Sequence, residues 1–135
     1  MIVVVDASVA LKWVFAEPGS EAAVALRQEE LIAPVLWLAE AANALWRRAG
    51  RGEITPEEAS EWFSELCRAP VAALPIEPYI DQALRLAMEI GHPIYDCLYL
   101  ALALQRRTHV VTADRRFASV ANLPHLAGAV RLLDA

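Results

Sequence analysis

The stretch "IVVVDASVALKWVFAEPG", residues 2–19, decides which fold the chain adopts. It opens with four β-branched residues and an acid, Asp6, which is the pattern of a short strand buried in a parallel sheet. Apolar residues then recur at helical spacing until Pro18 and Gly19 stop the helix. The stretch therefore predicts a strand that passes directly into a helix, with a carboxylate at the junction.

The same alternation of strand and helix continues along the sequence. Further short strands are predicted at residues 31–34, 71–75, 109–114 and 129–133. Further helices are predicted at residues 20–30, 35–52, 55–70 and 78–91, from residue 96 onward, and at 115–123. Strands that alternate with helices favour a parallel sheet with helices on both faces, and ligands of such sheets bind beyond the carboxyl ends of the strands.

Several helix ends carry their own signals. Ser20 is the predicted N-cap of the helix at 20–30. Thr55 is the predicted N-cap of the helix at 55–70, where Pro56 lies in the first turn and Glu58 completes a capping box. Gly91 is predicted to end the helix before it.

Length and composition bound the class of protein. The 135 residues are 57% hydrophobic and 21% charged, without repeats or linkers, so we expect a single compact domain over residues 1–135. The sequence opens without a basic leader and contains no apolar run long enough to span a bilayer, so a cytoplasmic protein is expected. Cys67 and Cys97 lack metal-binding spacing and are predicted to be buried, in agreement with a reducing compartment.

The charge and the motifs exclude several functions. A net charge of −5 argues against a protein that holds nucleic acid by bulk positive charge. No glycine-rich nucleotide-binding loop is present. The "DAS" at residues 6–8 lacks the second Asp of an aspartate-nucleophile phosphatase. Nucleotide-binding enzymes of these types and aspartate-nucleophile phosphatases are therefore not expected.

Four isolated acids remain, and two interpretations of them are open. Asp6 and Asp114 follow predicted strands and Asp96 opens a predicted helix, so each could be a helix N-cap. Glu40 does not fit this interpretation, because it is predicted to lie mid-helix among apolar residues, on a narrow polar stripe with Asn43 and Arg47. A helix with so few polar residues should be mostly covered, so Glu40 is expected to face a cleft or a partner.

The other interpretation is a metal site. Four carboxylates directed toward one end of a sheet repel one another and raise one another's pKa values unless a cation neutralises them. A set of oxygen ligands without His or Cys selects a hard ion, Mg²⁺ or Mn²⁺. Magnesium is commonly completed by phosphate oxygens of a substrate, so the predicted substrate is a phosphodiester.

Four blocks of this sequence resemble, in order, the acidic blocks of PIN-domain ribonucleases. The blocks are "VVVDASVALKW", "PVLWLAEAANALWR", "HPIYDCLYLALA" and "VVTADRRF". They extend over nearly the whole chain, and the opening block and the length are most similar to the VapC toxins of toxin–antitoxin pairs. The resemblance implies a PIN-like three-layer α/β/α sandwich with a short, mainly parallel central sheet.

The resemblance also assigns residues to the site. The four acids Asp6, Glu40, Asp96 and Asp114 fall on the acidic metal-site positions, as catalytic residues and ligands. Ser8 and Thr112 match the small hydroxyl residues that support that site, and Asn43 matches a polar residue one helical turn beyond the Glu. Arg115, Arg116 and Lys12 lie near enough in sequence to be expected contacts for RNA phosphates.

The function implied by the resemblance is RNA cleavage by a toxin. We expect a Mg²⁺-dependent (or Mn²⁺-dependent) endoribonuclease, which would be a homodimer controlled by a cognate VapB-type antitoxin. The alternative is a non-catalytic α/β protein-interaction module whose acids are helix caps. Binding of a divalent metal at the four acids distinguishes the two.

Overall fold

The computed structural model describes residues 1–134 and is built on a five-stranded, fully parallel sheet with strand order β3-β2-β1-β4-β5. The strands are β1 (Ile2–Val5), β2 (Glu30–Pro34), β3 (Val71–Leu74), β4 (Val110–Thr112) and β5 (Val130–Leu132). The α-helices are α1 (Ala7–Ala10), α2 (Ser20–Leu26), α3 (Trp37–Gly50), α4 (Pro56–Cys67), α5 (Ile80–Ile90), α6 (Ile94–Gln105) and α7 (Arg115–Ala118). Helices flank the sheet, so the predicted α/β/α sandwich with a parallel central sheet is confirmed.

The core is built around β1 and α6. Val3, Val4 and Val5 of β1 are at most 2% exposed, because the strand lies in the middle of the sheet and is covered on both faces. All seven residues from Cys97 to Ala103 of α6 are buried, and this helix contacts β1, β2 and β4. A helix that is apolar all round belongs in a core, which accounts for the composition of this segment.

The strand order reverses at β1, and this reversal positions the site. The chain places β2 and β3 on one side of β1 and then returns to place β4 and β5 on the other. The register pairs Val5 with Val111, and the amide of Asp6 donates to the carbonyl of Val111 at 3.0 Å. In sheets of this kind the crevice at such a switch point is where ligands bind. The residues just after β1 and β4 therefore stand side by side where a ligand site is expected.

Two of the predicted helix ends are confirmed. The Thr55 hydroxyl accepts from the Glu58 amide at 3.0 Å and the Glu58 carboxylate accepts from the Thr55 amide at 2.9 Å, with Pro56 as the first helical residue. Gly91 ends α5 in the left-handed conformation, at φ 66°. Both signals depend only on neighbouring residues.

The predicted cap of α2 is wrong. Gly19, at φ 92°, occupies the N-cap position, and Ser20 is the first helical residue. The Ser20 hydroxyl instead donates to the Phe15 carbonyl at 2.7 Å and accepts from the Glu17 amide at 3.0 Å, so it closes the preceding turn. The helix is also shorter than predicted, because the chain must enter β2 at Glu30.

Cys67, which was predicted to be buried, is exposed, and so are two large aromatic side chains. Trp46 on α3 is 69% exposed, Tyr95 on α6 is 64% exposed, and Cys67 at the end of α4 is exposed. Trp46 and Tyr95 lie on the outer sides of helices whose buried residues contribute to the core. None of the helices within residues 1–134 combines the length and the apolar character needed to cross a bilayer.

Candidate active site

Asp6 lies at the centre of the switch point and is only 6% exposed. Its Oδ2 accepts hydrogen bonds from the Ser8 hydroxyl and the Thr112 hydroxyl, both at 2.7 Å. The Ser8 oxygen in turn accepts from the Ala113 amide at 3.0 Å, which ties the ends of β1 and β4 together. Burial raises the pKa of Asp6, the two hydroxyls counteract that rise, and Asp96 adds to it.

Glu40 lies in the first turn of α3, so the prediction of a mid-helix position is wrong. The helix begins at Trp37, since β2 continues to Pro34 and the next two residues form a turn. The Tyr99 hydroxyl donates to Glu40 Oε1 at 2.6 Å. Burial raises the pKa of Glu40 to about 7, the Tyr99 bond opposes the rise, and the charges of Asp6 and Asp96 add to it.

Asp96 is the third residue of α6 and not its N-cap. The N-cap position belongs to Pro93, and the helix starts two residues earlier than predicted. The Asp96 Oδ2 is instead 2.7 Å from Nε2 of His92, whose buried ring stacks on Phe117 with centroids 5.5 Å apart. A carboxylate in the first turn of a helix is favoured by the helix dipole.

Asp114 is the acid for which the helix-cap interpretation holds. It is exposed, and its Oδ1 accepts from the Arg116 amide at 2.9 Å at the start of α7. Its own amide donates to the Thr112 hydroxyl at 3.1 Å, so Thr112 connects Asp114 to Asp6. Asp6 occupies the N-cap position of α1 but makes no capping hydrogen bond with its side chain.

The fold thus gathers three of the four acids closely and places the fourth at the rim. Asp6, Glu40 and Asp96 are near enough for their charges to interact, because Asp96 raises the pKa of Asp6 and both raise the pKa of Glu40. Asp114 joins them through Thr112. Within residues 1–134 no Lys or Arg forms an ion pair with any of the four acids. The result is a group of carboxylates whose one basic contact within residues 1–134 is the His92 ring at Asp96.

The chemistry of this donor set fits a hard divalent cation, although the side chains are not arranged around one. In the part of the chain that is described, no three His, Cys, Asp or Glu side chains are close enough together to hold a metal ion. Each acid uses one oxygen in its side-chain hydrogen bonds and leaves the other without a side-chain partner among residues 1–134. A shared ion would require these free oxygens to turn toward one another, and it would relieve their mutual repulsion.

Two hollows along α3 adjoin the acids. One, of about 390 Å³, is lined by Glu40, Asn43, Arg47, Tyr95 and two apolar residues of α3 and the turn before it. The other, also about 390 Å³, extends from Ser8 past Lys12 and Glu17 to three arginines at the end of α3, Arg47, Arg48 and Arg51. Arg47 lines both, so we treat the two hollows together as the α3 groove. This groove offers basic side chains next to the acidic centre.

The predicted RNA-contacting residues occupy different environments. Arg115 and Arg116 are exposed on α7, directly after Asp114. Lys12 is not free, because its Nζ donates to Glu17 Oε1 at 3.1 Å and to the Pro18 carbonyl at 2.8 Å. The carboxylate of Glu17 also accepts from Arg48, at 3.2 Å. Lys12 therefore pairs with an acid outside the predicted site.

Sequence reasoning missed two residues that contact the acids. Tyr99 lies in the apolar run of α6 and is fully buried, but its hydroxyl holds Glu40. His92 was given no role, although it contacts Asp96. For His92 the available signal was its short distance in sequence from Asp96, four residues, whereas Tyr99 offered none because Glu40 is 59 residues away.

Fold and site together define a class: an α/β protein with a carboxylate cluster at the switch point of a parallel sheet, where no Lys or Arg within residues 1–134 pairs with the acids. The model of the PIN domain family matches residues 3–123. The chain therefore belongs to the PIN domain family, and the predicted resemblance to PIN-domain and VapC proteins is confirmed. Ribonuclease VapC3 of Pyrobaculum aerophilum is 37% identical over 123 residues, which cover 87% of this chain and 93% of that protein.

Solved structures agree with the fold. PAE2754 from Pyrobaculum aerophilum superposes with a TM-score of 0.74 at 27% identity, covering 97% of this chain and 83% of its own. VapC20 of Mycobacterium tuberculosis, a toxin that cleaves the sarcin–ricin loop, superposes with a TM-score of 0.67 at 16% identity, covering 87% of this chain and 94% of its own. At the latter identity the likeness concerns the fold alone.

Proposed function

We propose that this chain is a divalent-metal-dependent endoribonuclease, which uses Mg²⁺ or Mn²⁺ to hydrolyse RNA phosphodiester bonds as the toxin of a VapBC pair. The observation that carries the proposal is the cluster of Asp6, Glu40 and Asp96, which has no Lys or Arg counter-charge within residues 1–134. The 37% identity to Ribonuclease VapC3 supports RNA as the substrate.

In this proposal the four acids, Asp6, Glu40, Asp96 and Asp114, hold the metal through the oxygens that their hydrogen bonds leave free. The chemistry that a bound divalent ion supplies is a lower pKa for a water molecule and stabilisation of negative charge on the phosphate. Ser8 and Thr112 fix one oxygen of Asp6 and so orient the other, and Tyr99 does the same for Glu40. Asn43 lines the groove beside Glu40, where a phosphate or its water shell would lie.

The α3 groove is the proposed path of the RNA strand. Arg47 is the proposed main phosphate contact, since it lines both hollows and forms no ion pair within residues 1–134. Exposed Tyr95 offers a ring on which a base can stack. Arg115 and Arg116 are proposed as further phosphate contacts on the Asp114 side, and Lys12 as one that must first leave Glu17.

The proposed partners follow from the likeness to VapC proteins: a VapB-type antitoxin that covers the α3 groove, and a second copy of this chain. Trp46, 69% exposed on α3, is a suitable anchor for a partner because large aromatic side chains dominate interface energies. Ile80, Leu84 and Met88 give α5 an exposed apolar stripe at helical spacing. We propose that one of these two surfaces is the dimer interface.

A cleavage assay tests the proposed activity. Purified protein, freed of any co-purified partner, is incubated with a panel of structured RNAs plus Mg²⁺, Mn²⁺ or EDTA. Cleavage is expected with either metal and not with EDTA. Asp6→Asn should abolish it, whereas the matched change Asp81→Asn, at an exposed acid that pairs with Arg85 on α5, should not. Cleavage that persists in EDTA or in Asp6→Asn would contradict the proposal.

A further inference from the structure

A separate hollow lies at the opposite end of the sheet from the carboxylates. It has a volume of about 410 Å³, within the range of small-ligand sites, and lies where β1, β4 and β5 begin. Its lining includes Arg106, Arg107, Thr108, His109 and Arg131. We call it the basal pocket. Since β1 has four residues, the basal pocket lies about 13 Å or more from Asp6.

The charge of the basal pocket is one-sided. Three guanidinium groups line it, and among the described residues, 1–134, no acidic side chain does. Within residues 1–134 none of these three arginines forms an ion pair, whereas Arg48, Arg51 and Arg85 each pair with a carboxylate. Like charges collected around one hollow repel one another, in a chain whose net charge is −5. An anion in the pocket would remove that repulsion.

The backbone at Arg107 is a second and independent observation. Arg107 has φ 55°, and it is the one non-glycine residue within residues 1–134 with a positive φ. This position follows the end of α6, where glycine is the usual residue because it adopts the left-handed conformation without strain. The chain keeps a strained arginine instead, and that choice needs a reason outside local folding.

The segment that carries these arginines is firmly held. The Thr108 hydroxyl donates to the Ile2 carbonyl at 2.6 Å, and the Thr108 amide donates to the Ala103 carbonyl at 3.0 Å. His109 is 8% exposed, and burial and the Arg131 charge lower its pKa, an effect that Glu29 opposes. The carboxylate of Glu29 is itself engaged by the Met1 amine at 3.2 Å.

A purely structural explanation covers only part of this arrangement. Basic residues at the C-terminal end of a helix stabilise it through the helix dipole, which accounts for Arg106 and Arg107 at the end of α6. It does not account for Arg131, which lies in β5 and reaches the same hollow. Nor does it favour a strained arginine over glycine.

We propose that the basal pocket binds a phosphate-bearing ligand. Guanidinium groups bind phosphate oxygens with strong, charge-assisted and often bidentate hydrogen bonds, and the buried His109 ring is available as a further polar contact. The phosphate belongs either to a small molecule or to the end of an RNA strand. The proposal does not depend on the nuclease function, because the carboxylates lie at the other end of the sheet.

Isothermal titration and amide NMR shifts, measured at low salt in EDTA, test the proposal. The probes are inorganic pyrophosphate and a pair of short ribo-oligonucleotides with a 5′-phosphate or a 5′-hydroxyl. Shifts are expected at residues 106–109 and 128–131. Binding of pyrophosphate identifies a small-molecule site, and binding of only the 5′-phosphorylated strand identifies an RNA-end site. Absence of binding by all probes, or shifts confined to the α3 groove, would overturn the proposal.

Matched variants separate the pocket from general charge. Arg107→Gly and Arg131→Ala are each expected to weaken binding at least about tenfold, the effect of losing one charge-assisted contact. Arg68→Ala removes an exposed arginine outside the pocket and should change little. Arg107→Gly should remain folded, as glycine prefers that backbone conformation. Equal affinity in all three variants would show that the pocket is not the site.

Discussion

Tyr99 is fully buried and contributes one hydrogen bond to the site, from its hydroxyl to Glu40. The effect of removing that hydroxyl can be predicted. Tyr99→Phe deletes the hydroxyl that holds Glu40 Oε1, so Glu40 loses both its orientation and a contact that lowers its pKa. Losing a residue that supports a metal ligand typically reduces metal affinity or activity about 10- to 100-fold. We expect a loss of that size in a Mg²⁺ titration of RNA cleavage.

Tyr79→Phe is the control for this change. It also removes one tyrosine hydroxyl, but from a 3₁₀ turn before α5 and not from the site. Its Mg²⁺ dependence should match that of the wild type. If Tyr99→Phe also matched the wild type, the hydroxyl would not support the site.

The raised pKa of Glu40 predicts how stability depends on pH. Its pKa is about 7 in the folded chain, against 4.5 for a free glutamate side chain, so between these values the folded state keeps a proton that the unfolded state has lost. The free energy of unfolding therefore falls as pH rises from about 5 to 7. Above about pH 7 Glu40 is ionised in both states, so its destabilising effect is complete and no longer changes with pH. In EDTA, the melting temperature of the wild type should fall over pH 5–8 and that of Glu40→Gln should fall less.

Some slope should remain in Glu40→Gln, because the pKa of buried Asp6 is raised as well. Glu61→Gln, at an exposed position on α4, should retain the wild-type slope. Equal slopes in the wild type and Glu40→Gln would mean that Glu40 is ionised without penalty.

At the residue scale, the acids were predictable from the sequence, but the side chains that hold them were not. Asp6 and Asp114 could be placed because each follows a recognisable strand. Tyr99 could not, because its partner Glu40 is 59 residues away and the contact exists only after folding. The position of Asp96 was predicted wrongly because of a local signal and not because of a distant contact. The prediction gave more weight to the preference of Asp for N-cap positions than to the tendency of proline to lie at the start of a helix, whereas in the structure Pro93 is the N-cap.

At the scale of elements, α7 permits the two interpretations of Asp114 to be separated. Asp114 caps this helix, and Asn is an equally good N-cap, so Asp114→Asn should retain stability while removing a charged metal ligand. Asp114→Ala should lose the cap as well, at a cost of about 1 kcal/mol. Urea denaturation and RNA cleavage, measured on both variants, check the prediction.

A ligand role predicts that cleavage is impaired in both Asp114 variants and that stability falls in the Ala variant alone. Full activity in Asp114→Asn would leave this acid with the cap role only. The same conclusion would hold if cleavage were lost only in Asp114→Ala, the variant whose stability falls.

The sequence predicted which segments are helices and which are strands better than it predicted the residues where they begin and end. The all-apolar α6 and the capping box of α4 follow from the residues within them. The ends of α2 and α3 do not, because the neighbouring strand β2 takes residues that the helical pattern would otherwise claim. The short α7 is followed by a 3₁₀ turn at Ser119–Asn122 where the sequence predicts a continuous helix, since the chain must turn back toward β5.

At the scale of the whole molecule, charged side chains collect in a few regions. The carboxylate cluster occupies one end of the sheet, the arginines of α3 lie beside it, and the basal pocket collects three more at the other end. The net charge of −5 therefore conceals two basic surfaces. The order of the strands, which sequence periodicity alone does not give, is what separates these charges in space.

Metal binding is expected to stabilise the whole fold, because a cation relieves repulsion that the folded state alone carries. A ligand that binds only the native state adds RT ln(1 + [L]/Kd), about 1.4 kcal/mol at ten times Kd, or roughly 5 °C for a domain of this size. Mg²⁺ should therefore raise the melting temperature of the wild type and of Asp81→Asn, and should not raise that of Asp6→Asn. Because ionised carboxylates bind metal, the gain should be larger at pH 8 than at pH 5, with protons released on binding. An equal rise in the melting temperature of Asp6→Asn would mean that the ion binds elsewhere. No rise in any of the three proteins would mean that the carboxylate cluster does not bind Mg²⁺.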